Sequence, residues 1–380
     1  MRVPFGISCP TQIRFGPGVS AELETFLPDH AKRVLLLRGA GGAAVAPVRA
    51  LLKTLDLVEV SAGGEPSVTS VNAVLDQVDG PVDAVIACGG GAVLDTGKAV
   101  TFCLNHGLRL TDAFGDIDPR LLAVPGAVPL IALPTTAGTG AEVTANAVLD
   151  VASQKAKISL RGRGLFPSVA LVDPALMMSA PDAVVLHAGL DAVTQIIEAF
   201  TSNAATAFSD ALTIPALPTG LFALRRVIED RAQNAMTDMA WTALSSGLAL
   251  ANGGLGAAHG AASVLGGQYG APHGALCGRL LMPVLRQNLA AAVAGSEAHQ
   301  RIDTCCAAIA AVFTPLPGGD DLSGLEDWVK RHGLPRLGAY GVTPDALDSL
   351  AERSMFASSS RKNAVDLAKA DYVAMLTQAM

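Results

Sequence analysis

Aromatic residues make up only 4% of this 380-residue chain and charged residues only 16%, while half of it is hydrophobic. With few large side chains and little charge, much of the chain must be buried in cores built from Ala, Val, Leu and Gly, or in an interface. No Lys/Arg-rich run occurs and the formal net charge is −7. That excludes the electrostatic footprint of a nucleic-acid partner or an anionic membrane, and favours a small-molecule partner. The six cysteines (Cys9, Cys88, Cys103, Cys277, Cys305, Cys306) have no Cys-x-x-Cys spacing, and the N-terminus has no signal-peptide pattern. Both absences point to a reducing cytoplasm without disulfides. Between Asp238 and Arg279 there is no Asp, Glu, Lys or Arg, as a membrane segment would require. The same stretch holds Asn252, His259, Gln268, Pro272, His273 and many glycines, which would be costly in lipid. It suits the wall of a buried site.

The length exceeds one ordinary core and fits two domains. Short apolar runs at Val34–Leu37, Leu57–Val60, Ala84–Ala87, Leu130–Leu133 and Val169–Val172 alternate with helix-compatible segments, which predicts a parallel α/β sheet. Ile13–Phe15, before Gly-Pro-Gly, reads as an added strand or hairpin. From about Ser179 onward helical stretches dominate, as in Asp191–Phe200, Ala235–Ala251 and Leu322–His332. The expected division is an α/β domain over 1–178 and an all-α domain over 179–380. Pro215, Pro218 and the segment Thr314–Asp321 mark expected loops in the second. Low charge content makes a homodimer the expected assembly.

After the run Ala84–Ala87 comes Cys88-Gly89-Gly90-Gly91-Ala92-Val93-Leu94-Asp95-Thr96-Gly97-Lys98. Glycines between a strand and a helix let backbone N–H groups approach a phosphate at the helix N-terminus, so the segment reads as a pyrophosphate site or a tight turn. A second segment, Pro134-Thr135-Thr136-Ala137-Gly138-Thr139-Gly140-Ala141-Glu142-Val143-Thr144, also follows an apolar strand. Two such loops at strand ends place a ligand crevice where α/β sheets usually hold one.

These two strings resemble the signature segments of the iron-containing alcohol dehydrogenases. The resemblance continues through Gly64-Glu65-Pro66-Ser67, Val172-Asp173-Pro174, Gly189-Leu190-Asp191-Ala192, Pro272-His273-Gly274 and Ser359–Asn363. It implies the dehydroquinate synthase-like fold, with a dinucleotide-binding N-terminal domain and a helical metal-binding C-terminal domain. It further implies that Gly89, Gly90, Gly91 and Asp95 hold the pyrophosphate and nearby ribose of NAD(P). Thr135, Thr136 and Thr139 would line the nicotinamide side, and Lys157 would sit at the ribose.

Asp191 and Gln195 lie four apart in a helical stretch and share one face, as do His259 and Ser263. By the resemblance, Asp191, His259 and His273 are three of four metal ligands. The fourth, a histidine in the family, is Gln195 here, whose amide oxygen would be a weaker donor. Either a three-ligand site with an open position or a site that has lost its metal is open. Two imidazoles and a carboxylate suffice for a catalytic Fe²⁺ or Zn²⁺, and the related glycerol dehydrogenases are similar in using Asp/His/His. Ser263 stands where many members have a proton-relaying histidine. Asn146 and Asn252 are substrate-side candidates by motif position.

The implied activity is metal-assisted hydride transfer between NAD(P) and an alcohol, aldehyde or ketone. A maleylacetate reductase-like enzyme, a lyase similar to 3-dehydroquinate synthase and a nucleotide-binding protein without turnover are the alternatives. Asp191 and Pro272-His273-Gly274 resemble the alcohol dehydrogenases more, and residues 239–278 offer no Lys or Arg for a phosphate-bearing substrate. The strand Arg33–Leu37 ends in Arg38-Gly39 with no carboxylate, where one would normally bind the adenosine ribose and repel a 2′-phosphate. The cofactor preference is therefore expected to lean to NADP.

Overall fold

The computed structural model describes residues 4–9, 11–151, 153 and 156–380. They form two compact units, one of Cys9–Pro181 and one of Asp182–Met380 joined by the residues up to Ser8.

The first unit contains β1 (Gln12–Phe15), β2 (Arg33–Arg38), β3 (Asp56–Ser61), β4 (Ala84–Gly89), β5 (Leu130–Pro134), β6 (Asn146–Val151), β7 (Ala156–Arg161) and β8 (Val169–Val172). The five apolar runs are β2, β3, β4, β5 and β8. With β1, which is an edge strand rather than a hairpin, they form one sheet in the order β1-β8-β5-β4-β2-β3, every pairing parallel. Val34 and Leu36 point to one face with Leu23, Val45 and Ile86; Leu35 and Leu37 point to the other with Val85, Val93 and Phe102. Both faces of β2, β4, β5 and β8 are buried, which is why these strands read as continuous apolar runs; β3, at the edge, is only partly buried and carries Glu59. Helix α1 (Gly42–Leu51) covers the first face, and α2 (Val68–Leu75) and α3 (Gly91–His106) cover the second. Short turns α4 (Pro119–Leu122) and α5 (Pro174–Met177) complete the unit.

Arg38 lies opposite Cys88, and Gly89 opposite Pro134, so β2, β4 and β5 end at the same edge. The chain runs outward from β2 to β3 and returns with β4 on the other side of β2. That reversal, between β2 and β4, is where open α/β sheets take ligands.

The second unit is helical: α6 (Asp182–Thr201), α7 (Ala207–Asp230), α8 (Gln233–Gly253), α9 (Ala257–Tyr269), α10 (His273–Ala291), α11 (Glu297–Val312), α12 (Ser323–Arg331), α13 (Leu347–Met355) and α14 (Lys369–Ala379). Helix α6 packs against α7, α8 and α10. By length and composition α6 and α7 are apolar enough to cross a membrane, but 78% of the apolar window of α6 is buried against its neighbours. Asp191, Gln195 and Glu198 are buried with it, which makes α6 a core helix.

Pro215 and Pro218, expected to mark a loop, lie inside α7. An interior proline costs a helix about 3 kcal/mol. Here Leu217, Leu221, Leu224 and Val227 are buried on a helix packed against α6 and α8, each contributing roughly 1.5–3 kcal/mol. A reciprocal Thr206–Ser209 cap secures its start. Tertiary burial outweighs the local preference.

Candidate active site

In the Cys9–Pro181 unit the two glycine-rich segments meet. A Cβ on Gly91 would come within 2.7 Å of the Thr139 side chain and displace it, and one on Gly90 would crowd Thr136 at 3.2 Å, so glycine is what lets the two segments approach this closely. The Thr135 N–H donates to the Gly89 carbonyl (2.9 Å), extending the register of β4 and β5 into the loops. No side chain caps the start of α3, where the Val93 and Leu94 N–H groups donate to the Gly90 carbonyl (2.9 and 3.1 Å) and the N–H groups before them have no acceptor within the helix. A glycine-lined helix N-terminus beside threonine hydroxyls fits a pyrophosphate.

Asp95 and Lys98 face inward. Buried Lys98 donates from Nζ to Asp95 Oδ1 (3.0 Å), Thr144 Oγ1 (3.0 Å) and the Asn146 carbonyl (2.7 Å). Asp95 Oδ2 accepts from the Val148 N–H (2.9 Å). The resemblance implies a place for Asp95 beside the ribose; in the structure its Oδ2 ties α3 to β6 of the β6–β7 ribbon through Val148, and its Oδ1 pairs with Lys98 on α3 itself. That ribbon was not expected. Asn146 begins it, and its backbone oxygen belongs to this network. Glu142 is buried nearby, and desolvation pushes its carboxyl up to about 7 against the opposing charge of Lys98. Lys157 pairs with Glu65 (2.8 Å).

At the end of β2, Arg38 pairs with Glu59 of β3 and donates to the Gly39 carbonyl (3.1 Å). Arg49 of α1 grips the same carboxylate at 2.6 and 2.7 Å. Arg49, and then Arg38, hold Glu59 down at about 2. Two guanidiniums on one carboxylate leave a surplus positive charge beside Gly39.

In the helical unit Asp191 of α6, His259 of α9 and His273 of α10 come together. His259 Nε2 lies 3.3 Å from Asp191 Oδ1, and His273 Nε2 lies 3.9 Å from the same oxygen. The fold arranges this in three ways. Pro272 starts α10 directly at His273. Gly278 lets α10 approach α6, since a Cβ there would come within 2.7 Å of Leu190. Glu198 and Asn363 accept the first N–H groups of α9, whose N-cap Gly256 has no side chain to do so. Asn363 belongs to the Ser359–Asn363 motif.

Asp191 Oδ1 and His259 Nε2 are buried without a directed hydrogen bond, an arrangement that normally carries a penalty. Burial opposes an imidazolium at His259, but Cys277, Glu198 and Asp191 outweigh it and hold its pKa well above the usual value. Against burial, the neighbouring imidazoles and Cys277 hold Asp191 below the usual carboxylate range. A site that draws positive charge this way, with two imidazoles and a carboxylate converging, fits a divalent transition metal.

Gln195 is one turn beyond Asp191 and buried, but it does not offer its oxygen as a ligand. Its amide N–H donates to Asp191 Oδ2 (3.2 Å), and its oxygen accepts from the Ser246 hydroxyl (2.6 Å). An oxygen turned inward would meet the carboxylate with like charge. Cys277, which the sequence reading passed over, stands among the donors instead. Its Sγ is 3.6 Å from His273 Nε2, and donor atoms of Asp191, His259, His273 and Cys277 all lie within 4.8 Å of one another. Ser263 turns its hydroxyl back to the Gly260 carbonyl (2.8 Å). Asn252 accepts from the Ser8 N–H (2.8 Å) and donates to the Leu248 carbonyl (2.8 Å), so it fastens the N-terminal residues to α8 rather than presenting a free amide.

Residues 10–174 match the iron-containing alcohol dehydrogenase family, and residues 185–380 match the C-terminal model of the Fe-containing alcohol dehydrogenase family. The chain is 27% identical over 384 residues to alcohol dehydrogenase 4 of Saccharomyces cerevisiae, covering 98% of each. It is 31% identical over 276 residues to the NAD-dependent methanol dehydrogenase of Bacillus methanolicus, covering 72% of this chain and 70% of that one. The crystal structure of 1,3-propanediol oxidoreductase superposes with a TM-score of 0.82 at 25% identity, covering 100% of both chains. The chain therefore belongs to the iron-containing alcohol dehydrogenase family and is an oxidoreductase of that family.

Proposed function

We propose that this chain interconverts an alcohol with its aldehyde or ketone, using NAD(P) held by residues 1–178 and a divalent metal held by residues 179–380. The observation that carries the reading is the buried, unsatisfied pair of Asp191 Oδ1 and His259 Nε2, with His273 beside it. Asp191, His259 and His273 would hold Fe²⁺ or Zn²⁺, which would supply Lewis acidity toward the substrate oxygen, and NAD(P) would supply or accept the hydride. The protein's part is position. Glu198 fixes which ring nitrogen of His259 faces Asp191, and Gln195 fixes which oxygen of Asp191 faces the histidines.

The cofactor preference leans to NADP. Gly39 supplies no carboxylate at the end of β2, and Glu59 next to it is more than neutralised by Arg38 and Arg49. A homodimer is proposed on the low charge content and on Ile214, Phe222 and Trp241, exposed on α7 and α8; a cytoplasmic location is proposed on the cysteine usage.

NADH and NADPH oxidation against a panel of aldehydes and ketones tests the reading, with the protein loaded with Fe²⁺ or Zn²⁺ and after removal of metal by a strong chelator. Turnover lost to the chelator and restored by metal is the expected result. Cofactor binding without turnover on any substrate favours the non-catalytic alternative, and full activity in metal-free protein removes the metal from the reaction.

A further inference from the structure

We propose that the thiolate of Cys277 is a fourth protein ligand of the metal site, making it an Asp/His/His/Cys site selective for zinc over iron. The inference rests on the metal reading above and adds a donor to it.

Four observations converge. Cys277 lies one helical turn after His273 on α10, so both side chains lie over the same face. Donors of a tetrahedral zinc site are separated by about 3.3 Å for nitrogen and oxygen and about 3.6 Å for nitrogen and sulfur, given the usual bond lengths. The structure has His259 Nε2 at 3.3 Å from Asp191 Oδ1 and Cys277 Sγ at 3.6 Å from His273 Nε2; the His273–Asp191 separation is wider, at 3.9 Å, and all four donors lie within 4.8 Å of one another. The atoms that Cys277 joins, Asp191 Oδ1 and His259 Nε2, are buried and unsatisfied. Finally, Gln195 is committed to Ser246 and to Asp191, which leaves the thiol as the extra donor on this side.

The ligand must be the thiolate, so binding releases the thiol proton to solvent as the sulfur–metal bond forms. Thiolate is a soft donor and shifts a mixed nitrogen and oxygen site toward Zn²⁺. A fourth protein ligand does not close the site to an alcohol, since catalytic zinc can expand to five donors, and the His273 side chain is 35% exposed.

Cobalt reports the ligand directly. Apo-protein titrated with Co²⁺ is expected to show visible d–d bands and an intense near-ultraviolet thiolate-to-cobalt charge-transfer band at one equivalent. Cys277→Ser should abolish the charge-transfer band, keep the d–d bands, and weaken Zn²⁺ at least about 10-fold in chelator competition, because even losing an outer partner of a ligand costs roughly that much. The loss for Fe²⁺ should be smaller. The unsubstituted protein alone decides the main point, so a variant that fails to fold does not obscure it. Cobalt bound with d–d bands but no charge-transfer band overturns the thiolate ligand and leaves the three-ligand reading standing. No cobalt bound at all overturns both.

Discussion

Glu198 accepts a hydrogen bond from Nδ1 of His259 at 2.6 Å, and the same carboxylate accepts the backbone N–H groups of Gly256 (2.9 Å) and Ala258 (2.6 Å). One buried acid on α6 thus caps α9 and turns the histidine on that helix. In the neutral ring, with the proton held at Nδ1, the lone pair of Nε2 is on the Asp191 side, where a metal would take the place of the second proton. Carboxylate support of a metal-facing histidine typically changes affinity or activity by roughly 10- to 100-fold. Glu198→Gln, which still accepts one of the N–H groups, is expected to weaken Zn²⁺ or Co²⁺ by about that factor with a small change in Tm. Glu198→Ala leaves buried donors unpaired and should destabilise by on the order of 3 kcal/mol. Chelator competition and thermal unfolding of the metal-free protein measure the two effects; unchanged metal affinity in Glu198→Gln would mean that the residue is only a cap.

The polar stripe that holds the site was partly legible. Asp191, Gln195 and Glu198 recur at intervals of four and three on an otherwise apolar helix, the spacing of one helical face. Asp191 stands out by family resemblance and Gln195 by its departure from it, but Glu198 is visible only through that spacing. Cys277, four after His273, carried the same signal and reads in isolation as a small core hydrophobe. Strands β2, β4, β5 and β8 were legible because burial on both faces leaves uninterrupted apolar runs, and β3 because Leu57, Val58 and Val60 flank Glu59. The β6–β7 ribbon was not, because what places it is the buried ammonium of Lys98 reaching the Asn146 carbonyl, a long-range contact. Pro215 and Pro218 misled for the converse reason: their local preference is real and is outweighed by packing.

Glu142 makes stability depend on pH. Its carboxyl is fully buried and titrates near 7 in the folded chain against 4.5 as an ordinary glutamate, so the folded state binds this proton more tightly. The contribution is fully present below about 4.5 and is lost as pH rises through about 7, a swing on the order of 3 kcal/mol. Glu142→Gln should be neutral near pH 4.5 and stabilising at pH 8. Urea unfolding of both proteins at the two values checks this, and an equal difference at both pH values would refute it.

The NADP preference has its own variant. A Cβ at Gly39 would meet only Val93, at 3.6 Å, an ordinary contact, so Gly39→Asp can be introduced without a clash at its Cβ. It places a carboxylate where the adenosine ribose hydroxyls are normally bound, and should move the kcat/KM ratio toward NADH by at least about tenfold, a change of about 1.4 kcal/mol. Arg49→Ala should lower kcat/KM for NADPH and spare NADH. A preference of tenfold or more for NADH in the unsubstituted protein would reverse the assignment.

Gln195 is the position where substitutions should move metal affinity in opposite directions. It orients the Asp191 carboxylate through its N–H while its oxygen is anchored on Ser246. Gln195→Ala frees Asp191 to turn and should weaken Zn²⁺ by roughly 10- to 100-fold, as loss of an outer-shell partner does. Gln195→His replaces the amide with an imidazole, which can keep one nitrogen on Ser246 and turn the other toward the donor cluster. An imidazole is a stronger donor to Zn²⁺ or Fe²⁺ than anything the amide offers, so this variant should bind either metal more tightly in chelator competition. Weakened binding in both variants, with the fold intact, would show that the amide is needed only for its hydrogen bond to Asp191. No change in either would show that Asp191 keeps its orientation without Gln195 and that position 195 does not act on the metal site.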